Sequence, residues 1–167
     1  MQRNQVLFLV KFFGVLLAAY LLIAWSPVND HVIVPFTRAI ATSSGALLNA
    51  IGQKVTVQDT TISSSRFGVN INNGCNGVEA MLILLASIAA FPASMRARGA
   101  GLLLGAIVVQ VLNAIRIVTL YLLGAYHPRL FDLFHTAVWQ IVIILAAIGF
   151  FLLWSARVAP SRLANRA

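Results

Sequence analysis

Long apolar runs limit what this chain can become. Val6 to Trp25 is apolar almost without a break, about the roughly 20 residues that a bilayer crossing requires. Further runs occupy 77–95, 99–124 and 136–155. Of the 167 residues 60% are hydrophobic and only 10% charged, and the mean hydropathy is +0.89, so a water-solvated surface is out of reach. The pattern predicts an all-α integral membrane protein, one multi-pass domain over 1–167 with about four transmembrane helices. The first run is long and no small-residue cleavage site follows it, so it reads as a spanning helix rather than a signal peptide.

The net charge of +8, twelve Lys and Arg against four acids, would point to nucleic acid in a soluble protein. Here the cations fall at the ends of apolar runs, where they set orientation. Arg3, Lys11, Arg96, Arg98, Arg157, Arg162 and Arg166 gather at one end, which predicts a cell (inner) membrane protein with both termini cytoplasmic. Lys11 lies early enough in its run to snorkel to the headgroups. Residues 26–76 then form an external segment, with Lys54 and Arg66 offset by Asp30 and Asp59.

Ser26-Pro27-Val28-Asn29-Asp30 ends the first helix. Residues 31–52 mix Pro35, Arg38 and Thr42-Ser43-Ser44-Gly45 with apolar positions. If they spanned, Arg96 and Arg98 would fall outside, so an amphipathic surface segment is expected. Between Lys54 and Asn73 the period changes to two: Val55 and Val57, a turn at Ser63-Ser64-Ser65, then Phe67, Val69 and Ile71. That is a β-hairpin signal, and an open hairpin belongs outside the hydrocarbon core.

The hairpin leads into Asn72-Asn73-Gly74-Cys75-Asn76-Gly77, which holds the only cysteine at the start of an apolar run. Helix-terminal N–H groups there favour a negative sulfur. Arg116 stands seventeen positions after Gly99, about 26 Å of helical rise, which brings it to the same membrane face as Cys75. Asn113, three positions earlier on that face, is expected to hold the guanidinium. His127 to His135 reads as a short loop or interfacial turn, and His135, just before the last run, reaches the same level. A thiol nucleophile, an imidazole base and a guanidinium that never acts as a base at neutral pH together describe acyl transfer through a thioester.

Each residue also has a plainer reading. The cysteine fills space, the arginine snorkels, and the histidine is interfacial, with His127 competing as a base. Glu79, one turn after Cys75, opposes a negative sulfur or pairs with Arg116. A non-enzymatic transporter subunit or assembly factor is therefore the competing class. No metal-ligand spacing, phosphate-binding loop, Gly-x-Ser-x-Gly motif or pair of intramembrane aspartates occurs, and no cofactor is expected.

Three blocks favour the enzymatic class. Asn73-Gly74-Cys75-Asn76-Gly77, Asn113-Ala114-Ile115-Arg116-Ile117 and Phe134-His135-Thr136, in this order, resemble the signature blocks of the exosortase/archaeosortase family of multi-pass membrane cysteine transpeptidases. The resemblance covers about residues 55 to 154, and the short chain is similar to the compact branch typified by exosortase H. It implies Cys75 as nucleophile, Arg116 as transition-state stabiliser and His135 as acid and base. It implies as partners exported proteins that end in a short motif, a transmembrane helix and a basic tail. For this branch the motif begins Ile-Pro-Thr-Leu. Where the family cysteine is usually followed by Ser-Gly, this chain has Asn76-Gly77.

Overall fold

The computed structural model describes residues 3–158, so the expected basic residues Arg162 and Arg166 lie outside the described part. Helices dominate. α1 (Arg3–Ala24) exposes large apolar side chains around most of its surface and buries none of its most apolar window, as a lipid-facing helix does. Phe8, Phe12, Leu16, Ala19 and Ile23 recur at helical spacing as the half-buried stripe of α1.

Three helical stretches among the described residues, Gln5–Ala24, Met95–Tyr126 and Pro128–Val158, are long and apolar enough to cross a membrane. The expected second span, 77–95, differs. Its helix, α4 (Val78–Ala90), has 13 residues and ends at Phe91, which is extended because the residue before Pro92 avoids helical backbone. The next helix, α5 (Met95–Tyr126), begins four residues before Gly99, with the Ser94 hydroxyl accepting from Ala97 N at 3.3 Å. Arg98 folds back onto the break and donates to the carbonyls of Phe91 and Ala93. Although short, α4 is central: it packs on α1, on α5 and on α7 (Trp139–Val158). Leu84, Ile88, Val109 and Trp154 form the core there.

The loop expected at 127–135 is also helical. His127 alone breaks from α5, and Pro128 starts α6 (Pro128–Leu133), which runs through a π-helical turn at Phe134–Val138 into α7. Residues 26–30, expected to end the first helix, instead form α2 (Ser26–Val28) and the start of a π-turn at Asn29–Ile33, and the segment expected at 31–52 is the rest of that turn and α3 (Val34–Ala50). Thr37, Ala41, Ser44, Gly45 and Leu48 give α3 one buried face.

The expected hairpin is a three-stranded antiparallel sheet in the order β1 (Thr56–Gln58), β2 (Thr61–Ser63), β3 (Gly68–Asn70). Asp59, with φ of 57°, makes a turn that the alternating pattern conceals, and it forms an ion pair with Arg38 of α3. The second turn spans Ser64 to Phe67 rather than 63–65. A second core, containing Ala41, Leu48, Ile62, Ile71, Ile117 and Tyr121, joins α3 and the sheet to the C-terminal half of α5. Tyr121 donates its hydroxyl to Ser64 at 2.6 Å, and the Phe67 ring meets Tyr121 edge-on.

Phe67 lies so close to α5 that a Cβ on Gly124 would come within 2.2 Å of its ring. Gly124→Ala is expected to force that ring out and destabilise the protein by about 1–3 kcal/mol. Thermal unfolding in detergent micelles checks this, and an unchanged midpoint would contradict it.

Candidate active site

Cys75 is held by its loop before any partner is considered. Its N–H donates to Asn72 O at 2.9 Å, closing a tight turn in which Gly74 has a φ of 90°. Glu79, in the first turn of α4, reaches back and accepts from Gly74 N at 2.9 Å. Glu79 therefore braces the loop and makes no ion pair with Arg116. Among the described residues the single ion pair is Arg38–Asp59.

Asn76 is fully buried and fastens the loop to its surroundings. Its Nδ2 donates to Thr37 Oγ1 on α3 at 3.0 Å and to Asn73 Oδ1 at 3.2 Å, and its Oδ1 accepts from Val78 N at 3.1 Å. The next residue, Gly77, has a φ of 76°, and a Cβ there would lie 3.0 Å from Asn113 Cγ. The loop thus lies directly on α5. Asn113 is fully buried, but both its amide atoms lack a partner, so it supports Gly77 by packing and does not hold Arg116 as expected.

The sequence predicts that Cys75, Arg116 and His135 meet, and they do. Cys75 Sγ lies 3.2 Å from His135 Nε2 and 3.9 Å from Arg116 Nη2. Arg116 Nη1 also approaches Gly74 O at 3.5 Å. Arg116 is only 4% exposed, and among the described residues it has no carboxylate partner and its Nε is unbonded. A buried guanidinium without a counter-ion costs several kcal/mol and stabilises negative charge that arises beside it. Of the nearest groups, Cys75 sulfur can acquire that charge.

His135 sits in the π-helical turn, a distortion that often marks functional positions. Its ring stacks on Phe131, four residues earlier, with centroids 5.5 Å apart and planes 18° from parallel. Phe131 in turn meets Phe67 edge-on at 5.4 Å. Among the described residues nothing hydrogen-bonds His135 Nδ1, so aromatic packing rather than a carboxylate orients the imidazole. His127 is exposed at the α5–α6 junction, bonded to helix backbone, and stands apart from this group.

Sequence reading did not assign structural roles to Asn76 or Phe131 and missed Thr37 altogether. The i, i+4 spacing of Phe131 and His135 is a signal that was there to use. Nothing local links Thr37 to Asn76, 39 positions later.

A cleft of about 380 Å³ opens onto the trio, bounded by β3, by Ile117 and Leu120 of α5, and by Phe131. Its apolar walls, with sulfur, imidazole and guanidinium at one place, suit an acyl group attacked at its carbonyl carbon.

Asn76→Ala removes three hydrogen bonds around the Cys75 loop. It is expected to cost about 1–3 kcal/mol and to change the rate at which iodoacetamide alkylates Cys75. An unfolding midpoint and alkylation rate both equal to wild type would show that the loop is held by other means.

The family model described as "Transmembrane exosortase (Exosortase_EpsH)" matches residues 4–155, most of the chain. Comparisons with curated proteins and with solved structures gave no match. The match contains all three blocks and every helix that frames the trio, and the chain therefore belongs to the transmembrane exosortase family.

Proposed function

We propose that the protein is a membrane cysteine transpeptidase that cleaves the C-terminal sorting signals of exported proteins and passes the new carboxyl end to an acceptor. The observation that carries this reading is the 3.2 Å approach of Cys75 sulfur to His135 Nε2, beside a buried Arg116 without a carboxylate.

His135 Nε2 takes the thiol proton as Cys75 Sγ attacks the scissile carbonyl carbon. The carbon–sulfur bond forms, and the carbonyl oxygen becomes an oxyanion that Arg116 stabilises. The carbon–nitrogen bond then breaks, and His135 returns its proton to the departing amine. The membrane-anchored tail leaves, and the exported part stays on Cys75 as a thioester. An amine or hydroxyl acceptor attacks that thioester with His135 accepting its proton; the sulfur departs and is reprotonated. With water as acceptor the same steps describe a protease.

α4 starts just after Cys75 and α7 soon after His135, so both run away from the same site. Between them lies an apolar groove of about 270 Å³, lined by Ala80, Ile83, Leu84, Ser87, Ile144 and Phe151 among others. A substrate's transmembrane helix seated there delivers the preceding motif to Cys75. In this reading the trio stands at the extracytoplasmic face of the cell membrane and both termini are cytoplasmic. The arginine pattern supports that orientation.

The test is a reporter ending in Ile-Pro-Thr-Leu, a spanning helix and an arginine cluster, co-expressed with each variant. Cys75→Ala and His135→Ala are expected to abolish processing, and Arg116→Ala to slow it by at least about 10²–10³-fold, the usual cost of a lost oxyanion donor. Gel mobility of the reporter reads the outcome at matched enzyme levels. Normal processing by Cys75→Ala would end the cysteine mechanism and favour a non-enzymatic membrane protein.

A further inference from the structure

Among the described residues the sheet has a free edge, and that edge borders the cleft. Strand order makes β3 an outer strand. Its partner β2 takes the backbone groups of alternate residues only: Ile71 N donates to Thr60 O, and Ser64 N donates to Phe67 O. With Ile62 opposite Val69 in the register, Phe67, Val69 and Ile71 turn their N–H and C=O groups toward β2. Gly68 and Asn70 must then turn theirs to the open side. The cleft is lined by Phe67, Val69 and Ile71 and also by Gly68 and Asn70, residues whose side chains alternate between the two faces. A cavity against one face would touch one set, so this one runs along the edge.

Such an edge invites strand pairing from another chain, and natural proteins commonly guard it with charge, proline or a covering element. Gly68-Val69-Asn70 has no charge and no proline, and Gly68 and Asn70 are exposed. The far wall is apolar, with Ile117, Leu120 and Phe131, and Cys75 stands on the same cleft. A peptide laid along β3 presents alternate side chains to that wall and brings a backbone carbonyl to the sulfur.

Resting on the sorting reading of this site, we propose that the recognition stretch of the substrate binds as an added β-strand on the free edge of β3. Backbone hydrogen bonds to Gly68 and Asn70 hold it, and apolar side chains at every second position fill the cleft. The substrate class is therefore an unfolded, extended peptide segment rather than a folded surface or a continuous helix.

The experiment uses the full chain carrying Cys75→Ala and Asn70→Cys in membranes, with the Ile-Pro-Thr-Leu reporter bearing a single cysteine moved residue by residue through its recognition stretch. After mild oxidation, disulfide adducts are expected at alternate positions and not at those between them. Absence of adducts throughout, or equal adducts at consecutive positions, would overturn strand pairing. As a second measurement, Asn70→Pro in the otherwise wild-type enzyme is read against Asn70→Ala: both lose the side-chain bonds to Thr60 and Thr61, and Asn70→Pro alone also deletes one edge N–H, at a position whose outward geometry accepts proline. Asn70→Pro is expected to process the reporter about tenfold more slowly than Asn70→Ala, the equivalent of one hydrogen bond, with Cys75 alkylated by iodoacetamide at the same rate in both. Processing at equal rates by Asn70→Pro and Asn70→Ala would overturn the proposal. Failure of the wild-type enzyme to process the reporter would instead overturn the sorting reading, whereas normal processing without the alternating adducts would overturn the edge pairing alone.

Discussion

The charge on Arg116 is the constraint around which the rest of the structure is arranged. It is almost fully buried in α5 and has no carboxylate in reach, a condition that costs several kcal/mol. The groups drawn toward it are the Gly74 carbonyl and the Cys75 sulfur, both on the loop before α4. Neither neutralises it, so the site keeps a positive potential beside the Cys75 sulfur. In the proposed reaction, stabilisation of that kind is set up before the chemistry starts and needs no rearrangement during it.

Keeping the loop against Arg116 requires fixed points on both sides. Glu79 braces it from α4, Asn76 fastens it to Thr37 on α3, and Gly77 lets it lie on Asn113 of α5. The buried polar side chains Thr37, Asn76, Asn113 and Arg116 belong to a stratum between two apolar clusters, one in the helix bundle and one under the sheet. The 32-residue α5 passes through both, about 48 Å at helical rise, and so ties the small β-sheet to the spanning part of the molecule. The sheet contributes more than closure. Phe67 packs on α5 and on Phe131, which positions His135, so the imidazole is oriented through an aromatic chain that begins on a strand.

Much of this was legible from residue pattern, and the departures have definite causes. The apolar runs gave the membrane class, and helical rise placed Arg116 near Cys75 even though α5 begins at Met95 rather than Gly99. The second run broke because Phe91-Pro92 cannot continue a helix. The expected turn before His135 became helix because Pro128 starts one readily. The hairpin acquired a third strand because Asp59 adopts a left-handed conformation that a period-two pattern does not reveal. Asn113 and Glu79 were expected near Arg116 from helical spacing and charge, yet one packs under Gly77 and the other bonds Gly74 N. A side chain's direction depends on what lies across from it, which spacing along one helix does not contain.

By itself the sequence determined the solvent and the helical class and singled out three candidate side chains, because hydrophobic length and residue chemistry are properties of the chain alone. Only the tertiary structure decided that sulfur, imidazole and guanidinium lie within hydrogen-bonding or near-contact range. It also decided that Asn76 and Thr37 are partners, and that the open edge of β3 borders the cleft. Those relations join residues 39 to 60 positions apart. They are set by how two cores pack around one buried charge, and no local pattern carries that information.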